Sequence, residues 1–357
     1  MISIAQKNRI HDQILHWFKR NARDLPWRRT KDPYAIWVSE IMLQQTQVGT
    51  VIPYYRRFLR AFPTIRRLAK ADLSEVLKVW EGLGYYSRAH NLHQASQEIL
   101  TRFKGKIPDA LDDLLSLPGI GRYTAGAIRS IVFNKEAPVL DGNVKRVLSR
   151  LFAVSGNSAK GKAERLLWQL SESLIPEGRA GSFNQALMDL GAMVCTFKDP
   201  QCIDCPLQSQ CEGKASGNPE TFPSRAVKKK IPSVIAVSAV IEKDGQILLR
   251  QRPARGLLGG LWEFPSWEVN HKEDPEAKLL RSVRNELAAP IKSHEPLGSF
   301  KHTYSHFKLT LHVYLCHSTR RNKPGTWVLV QNLHLFPMSR LHRRIAQSIG
   351  ERLLKTC

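Results

Sequence analysis

The spacing of apolar residues changes period once along this chain, and that change fixes its organisation. Over residues 2–211 apolar side chains recur every three or four positions, as in ILHWF, LAKADLSEVLKVW and RVLSRLFAV, the period of helices joined by short loops. Residues 212–232 read EGKASGNPETFPSRAVKKKIP, rich in Gly, Pro, Ser and Lys, the composition of an exposed linker. Beyond it SVIAVSAVIEK and QILLRQR flank Asp244-Gly245, a hairpin-turn dipeptide, and KLTLHVYLC alternates with period two. The pattern predicts a mainly α domain over 1–211, a linker over 212–232 and an α+β domain over 233–357. No internal repeat is visible, and the one low-complexity stretch is the basic run 228–230.

At 357 residues the chain is long enough for two or three domains, each with its own core. Its 54 Lys and Arg outnumber 31 Asp and Glu, a formal net charge of +23. A polyanion is therefore the expected partner, nucleic acid first and an anionic membrane surface second. No apolar run approaches the roughly 20 residues a spanning helix needs. The start, MISIAQKNRIHDQILHWFKRN, has neither the apolar block nor the small-residue cleavage site of a signal peptide. The expectation is a soluble, intracellular protein that does not act on membranes.

In DALDDLLSLPGIGRYTAGAIRSIVF one helix, carrying Leu111, Leu114 and Leu115, ends at Pro118-Gly119, and another starts after Gly121, carrying Ala125, Ile128 and Val132. Gly119 and Gly121 allow positive φ and close approach, while the second helix offers unpaired N–H groups and the positive end of its dipole. An ordinary helix corner has the same look, but the charge excess favours a turn that grips a DNA phosphate. Of six cysteines, Cys195, Cys202, Cys205 and Cys211 stand as C-x6-C-x2-C-x5-C. In a reducing compartment this predicts one metal centre rather than disulfides, and spacing alone leaves zinc and an iron-sulfur cluster both open. Cys316 reads as a buried strand thiol and Cys357 as a terminal one.

Two carboxyls stand in contrasting surroundings. In PYAIWVSEIMLQQTQV, Glu40 lies four residues after Ile36, three after Trp37 and three before Leu43, so a helix puts it on the apolar side. Desolvation raises a carboxyl pKa, which suits a general acid near neutral pH; escape to solvent or pairing with an Arg stays open. Asp141 precedes a helix beginning near Gly142, where an N-cap Asp accepts backbone N–H bonds and stays ionised. A cap is the plain reading. Two carboxyls with pKa values driven apart are also the pattern of an acid and a charge stabiliser in one site.

The segments LPWRRTKDPYAIWVSEIMLQQTQV, WEGLGYYSRAHNL, LPGIGRYTAGAI and VLDGNVKRVLSRL, followed by the four-cysteine loop, resemble the MutY family of adenine DNA glycosylases in the helix-hairpin-helix superfamily. The resemblance spans nearly the whole chain. It implies that adenine mispaired with 8-oxoguanine or guanine is flipped from duplex DNA and its glycosidic bond cleaved, leaving an abasic site. It puts Glu40 at the position of the acid that protonates the purine's imidazole ring, and Asp141 at that of the anion stabilising an oxocarbenium-like sugar. Tyr123 stands where the endonuclease III group has a Schiff-base lysine. A phenol cannot form that imine, so a monofunctional glycosylase is expected, with Tyr123 and Asn143 beside the reacting sugar. Gln45, Leu83 and Tyr85 match residues at the lesion pair, Tyr85 as a wedge, although Leu83 and Tyr85 also fit core packing. Arg28 matches a residue lining the adenine pocket, and the four cysteines match the family's 4Fe-4S ligands, with a structural and DNA-docking role.

Residues from 233 onward resemble the MutT-like Nudix domain of the same family, most visibly in GGLWEFP. Nudix hydrolases continue into R-E-x-x-E-E, whose carboxylates hold magnesium. This chain has RSVRNE: Arg281 and Glu286 remain, Ser282 and Asn285 replace acids, and Ser266-Trp267 replace paired glycines. No pyrophosphohydrolase activity is expected. In KHTYSHFKL, Tyr304, Ser305 and His306 align with a loop usually written F-S-H that contacts 8-oxoguanine. That lesion carries a proton on the ring nitrogen that is only an acceptor in guanine, so a hydroxyl acceptor on Ser305 tells the two apart. Ordinary polar residues on a hairpin would look the same.

The expected molecule is a monomeric base excision repair enzyme acting on double-stranded DNA. It joins a mainly α helix-hairpin-helix domain with an iron-sulfur loop (195–211) to an α+β Nudix-like domain. It is placed in the bacterial cytoplasm at the nucleoid, with the linker open to other repair proteins. Tyr123 and the second domain argue against an endonuclease III-like lyase. The pairing of Glu40 with Asp141 argues against a non-enzymatic damage sensor, and the missing acids against a nucleotide pyrophosphatase.

Overall fold

Where apolar residues recur every three to four positions, the chain is helical. In the computed structural model, which describes residues 2–224, 231–270, 272–321 and 325–353, the helices run α1 (Ile4–Asn21), α2 (Pro33–Leu43), α3 (Val48–Ala61), α4 (Ile65–Ala69), α5 (Leu73–Trp80), α6 (Ser87–Arg102), α7 (Leu111–Ser116), α8 (Arg122–Ala127), α9 (Gly142–Leu151), α10 (Gly161–Ser173), α11 (Ala180–Met193) and α12 (Glu212–Ala215). Local chemistry starts several of them. Ser3 caps α1, and Asp32 caps α2 with Pro33 in its first turn. Asp141 caps α9 by accepting the Val144 N–H at 2.7 Å.

Contacts divide the chain into two compact units, Met1–Ala69 with Gln94–Lys228 and Lys70–His93 with Lys229–Cys357. In the first, Ile10 and Ile14 of α1 meet Val147 and Leu148 of α9 and Phe183 and Leu187 of α11 in one core. Helix α2 is buried all round from Tyr34 to Met42, so Glu40 has no solvent edge to escape to. Residues 212–224 differ from the linker their composition suggests. They carry α12 and a 3-10 turn, and Arg150 Nε donates to Phe222 O at 3.1 Å. Gly213 packs so tightly that a Cβ there would lie 2.7 Å from Arg150 O. Close packing requires the glycine at 213, while residues 215–218 are exposed, as their composition suggests. The basic run 228–230 and Cys357 lie outside the described residues.

In the second unit β1 (Ser233–Lys243), β2 (Gln246–Gln251), β3 (Trp262–Glu263), β4 (Ser266–Val269), β5 (Ile291–Thr303), β6 (Lys308–Ser318) and β7 (Thr326–Leu329) form a mixed sheet. Its order is β3-β2-β1-β6-β5, with β4 on β1 and β7 on β2, and β1 runs parallel to β6. Asp244 (φ 50°) and Gly245 (φ 71°) turn β1 into β2, as the dipeptide predicts. Helix α13 (Pro275–Ser282) covers one face through Leu279 on Val237, Ala239 and Ile241. Helix α14 (Arg340–Leu353) covers the other through Leu341 and Ile345 on Ala236 and Val240. Burial on both sides explains why β1 reads as a continuous apolar run.

Residues 70–93, helical as expected, belong to this second unit. Glu81 takes Arg343 Nε and Nη2 at 2.5 and 3.1 Å, and Tyr86 Oη donates to Met338 O at 3.3 Å. No helix among the described residues is long and apolar enough to cross a membrane.

Candidate active site

The first unit holds a cleft of about 790 Å³ lined by Arg28, Glu40, Gln45, Tyr123, Asp141 and Asn143, among others. These lie in three separate stretches of sequence, and the fold brings them together. Glu40 is 5 % exposed, and its Oε2 accepts the Tyr123 hydroxyl at 2.8 Å. Burial pushes its carboxyl up to about 7. Donation from Tyr123 and the positive charge of Arg28 work against that rise, and the negative charge of Asp141 adds to it. Tyr123 is raised well above the usual phenol range, by burial first and then by the two carboxylates, so it stays a neutral donor.

Asp141 departs from the expected low pKa. Its hydrogen bonds from Val144 and Asn143, and the charge of Arg146, all favour the carboxylate. Burial nevertheless outweighs them and raises it. Both carboxyls are therefore raised, rather than one being raised and the other lowered. They differ in what holds the charge: Asp141 has backbone and amide donors and the charge of Arg146, while Glu40 has one phenol donor and the charge of Arg28.

Of the two turn glycines only Gly119 needs the left-handed region, at φ 78°. Gly121 is extended at φ −92° and caps α8, with open space where a side chain would stand. Close approach, not backbone freedom, is what Gly121 offers.

Cys195, Cys202, Cys205 and Cys211 are half-buried and wall one small cavity with Arg150 and Lys214. Arg150 holds the loop through Thr196 O at 2.6 Å, Phe197 O at 3.1 Å and Cys195 Sγ at 3.4 Å. Among the described residues no three His, Cys, Asp or Glu side chains gather closely enough for a single metal ion. A lone tetrahedral zinc needs its sulfurs at about 2.3 Å. Four thiols around one cavity are the donor set of a thiolate-held metal centre.

Sequence reasoning missed the network behind the cleft. Asp189 of α11 is fully buried and accepts Arg28 Nη1 at 2.6 Å and Nη2 at 2.9 Å, together with Arg23 Nε at 2.7 Å. Burial works to raise its pKa, but the hydrogen bonds and charges of Arg28 and Arg23 hold it below the usual range. Arg146 was missed too: it bonds Asn143 Oδ1 at 2.9 Å and Cys195 O at 2.7 Å, tying the cleft to the cysteine loop. The available signal was a lone acid inside the apolar run NQALMDLGAM, since a buried charge must find a partner.

In the second unit Tyr85 and Ser305, 220 residues apart, meet hydroxyl to hydroxyl at 3.0 Å. They line a cavity of about 420 Å³ with Tyr304 and His306. Tyr85 is 45 % exposed, whereas Leu83 is 6 % exposed and packs in the interior. Tyr304 is half-buried between the rings of His302 and Phe307, with His306 exposed. On the Nudix-like helix, Ser282 is buried, Glu286 is exposed, and Arg281 pairs with Glu273.

Residues 38–173 match the HhH-GPD superfamily of base excision DNA repair proteins, and residues 236–348 match the NUDIX domain. The chain is 38 % identical to the adenine DNA glycosylase of Homo sapiens, over 87 % of this chain and 67 % of that one. It is 35 % identical to the adenine DNA glycosylase of Buchnera aphidicola from Acyrthosiphon pisum, over 95 % and 97 %. Among solved structures, a thermostable thymine-DNA glycosylase superposes with a TM-score of 0.54 at 31 % identity, covering 59 % of this chain and 99 % of that one. An endonuclease III–DNA complex shares the fold, with a TM-score of 0.52 at 22 % identity over 61 % and 99 %. By sequence over nearly its full length, the chain belongs to the adenine DNA glycosylase family of base excision repair enzymes.

Proposed function

We propose that this chain releases adenine mispaired with 8-oxoguanine, or with guanine, as a monofunctional glycosylase. The observation that carries the reading is Glu40, a buried carboxyl pushed to about 7 in the wall of a cleft that also holds Asp141. A group with that pKa is half protonated at neutral pH and delivers its proton to a flipped purine, so that adenine leaves as a neutral base. The deoxyribose then carries positive charge, which the Asp141 carboxylate opposes from a fixed position. A developing cation lowers the cost of ionising Asp141, and its N–H donors and Arg146 already favour the anion. Tyr123 orients Glu40 and offers no amine, so no imine forms and the strand is not cut.

The four cysteines would ligate a 4Fe-4S cluster, which supplies a rigid structural loop rather than a chemical step. Duplex DNA would lie along the cleft with the turn at Gly119 and Gly121 on a phosphate. Tyr85 would wedge beside the opposite base while Ser305 reads the proton that distinguishes 8-oxoguanine from guanine.

The test uses duplexes with A opposite 8-oxoguanine, A opposite G, and thymine glycol opposite A, each with and without alkali. Breaks at the first two only after alkali support the reading. Scission without alkali matching base release, or turnover of thymine glycol, would overturn it.

A further inference from the structure

We propose that Asp189 is a positioning residue that keeps Glu40 in its acid form by engaging Arg28 and Arg23 at the wall of the cleft. The inference rests on the reading of Glu40 as the proton donor. Arg28 stands on the 3-10 turn Pro26–Arg28, and its guanidinium lines the same cleft as Glu40. Its described hydrogen bonds go to other groups than that carboxyl: Nη1 and Nη2 grip the two oxygens of Asp189, and Nη1 also reaches Arg23 O at 3.1 Å. Arg23 closes the other side of Asp189 through its backbone N–H at 3.2 Å and its Nε at 2.7 Å. A carboxylate with no exposure and four donors from two cations is held for its charge, because packing alone would be served by an apolar side chain.

The charge matters to Glu40. The groups that act on it are Tyr123 from α8, Asp141 at the cap of α9 and Arg28 from the turn; Met188 of α11 is neutral, and Arg146 acts beside Asp141. Arg28 is the cation that acts on Glu40 itself, and it favours the ionised carboxylate. With Asp189 neutralised, two arginines lose their counter-charge, and the low-dielectric cleft transmits their field to Glu40. The acid would then lose its proton at lower pH.

The measurement is the pH profile of single-turnover base release from an A:8-oxoguanine duplex by the full chain. Asp189→Asn is expected to move the alkaline limb down by about one pH unit, costing roughly tenfold at pH 8 and less than about twofold at pH 5.5. Asp189→Glu is expected to restore the limb, and Arg23→Gln in the Asp189→Asn background to move it back up. A loss equal at every pH would mark Asp189 as structural only and overturn the proposal, as would an unmoved limb. Should Asp189→Asn fail to fold, Arg23→Gln alone must raise the limb, and no rise overturns the proposal. Glu40→Gln run alongside separates the two ideas: retained turnover there removes the proton donor itself, whatever Asp189 does.

Discussion

Two regions of this molecule carry carboxyls on or beside a helix, and they differ in what surrounds those acids. In the first unit, α2 is buried on every side, and Glu40 faces a phenol, a second carboxyl and an arginine that Asp189 has already claimed. In the second, Glu286 lies in solvent just past the helix Pro275–Ser282, with Asn285 exposed beside it. The comparison teaches that an acid in sequence is not yet a reagent. A desolvated carboxyl with few donors holds a proton to neutral pH.

The largest expected effect breaks the comparison at its stronger end. Glu40→Gln removes the proton donor while keeping the shape, and single-turnover base release should fall by about 10²–10⁴ with DNA binding retained. Asp141→Asn should follow at about 10²–10³, because an amide still caps α9 but no longer opposes a cation. It should lower the rate constant more than the affinity for an uncleaved duplex.

A stability measurement sharpens the same point. The folded pKa of Glu40 is raised from 4.5 to about 7, so what it contributes to stability is fully present below pH 4.5 and lost as pH rises through 7. Glu40→Gln should therefore be neutral near pH 4.5 and more stable than the wild type by about 3 kcal/mol at pH 8 in denaturant melts. Smallest is Ser305→Ala in the second unit. It should reduce the preference for 8-oxoguanine over guanine by about five- to tenfold, as loss of one hydrogen bond, and leave release from A:G pairs unchanged.

What could be read from sequence follows the range of the interaction. The setting of Glu40 was legible because Ile36, Trp37 and Leu43 are its helical neighbours, although α2 proved buried all round rather than on one side. The Asp244-Gly245 hairpin was legible for the same local reason. The sign of the Asp141 shift was not, since a cap is local but the burial that outweighs it comes from the assembled cleft. Asp189 was missed because its partners lie 161 and 166 residues away. Composition gave no sign that Gly213 packs against Arg150 or that residues 70–93 join the sheet unit.

The central claim is that residue 40 holds a proton when the purine must receive one. Difference infrared titration of the wild type against Glu40→Gln tests it most directly, with both proteins bound to a duplex carrying a non-cleavable adenosine analogue opposite 8-oxoguanine. The account predicts a protonated-carboxyl band, absent from the variant, that persists until it titrates with a midpoint near 7. A carboxylate already fully ionised at pH 5.5 would contradict it.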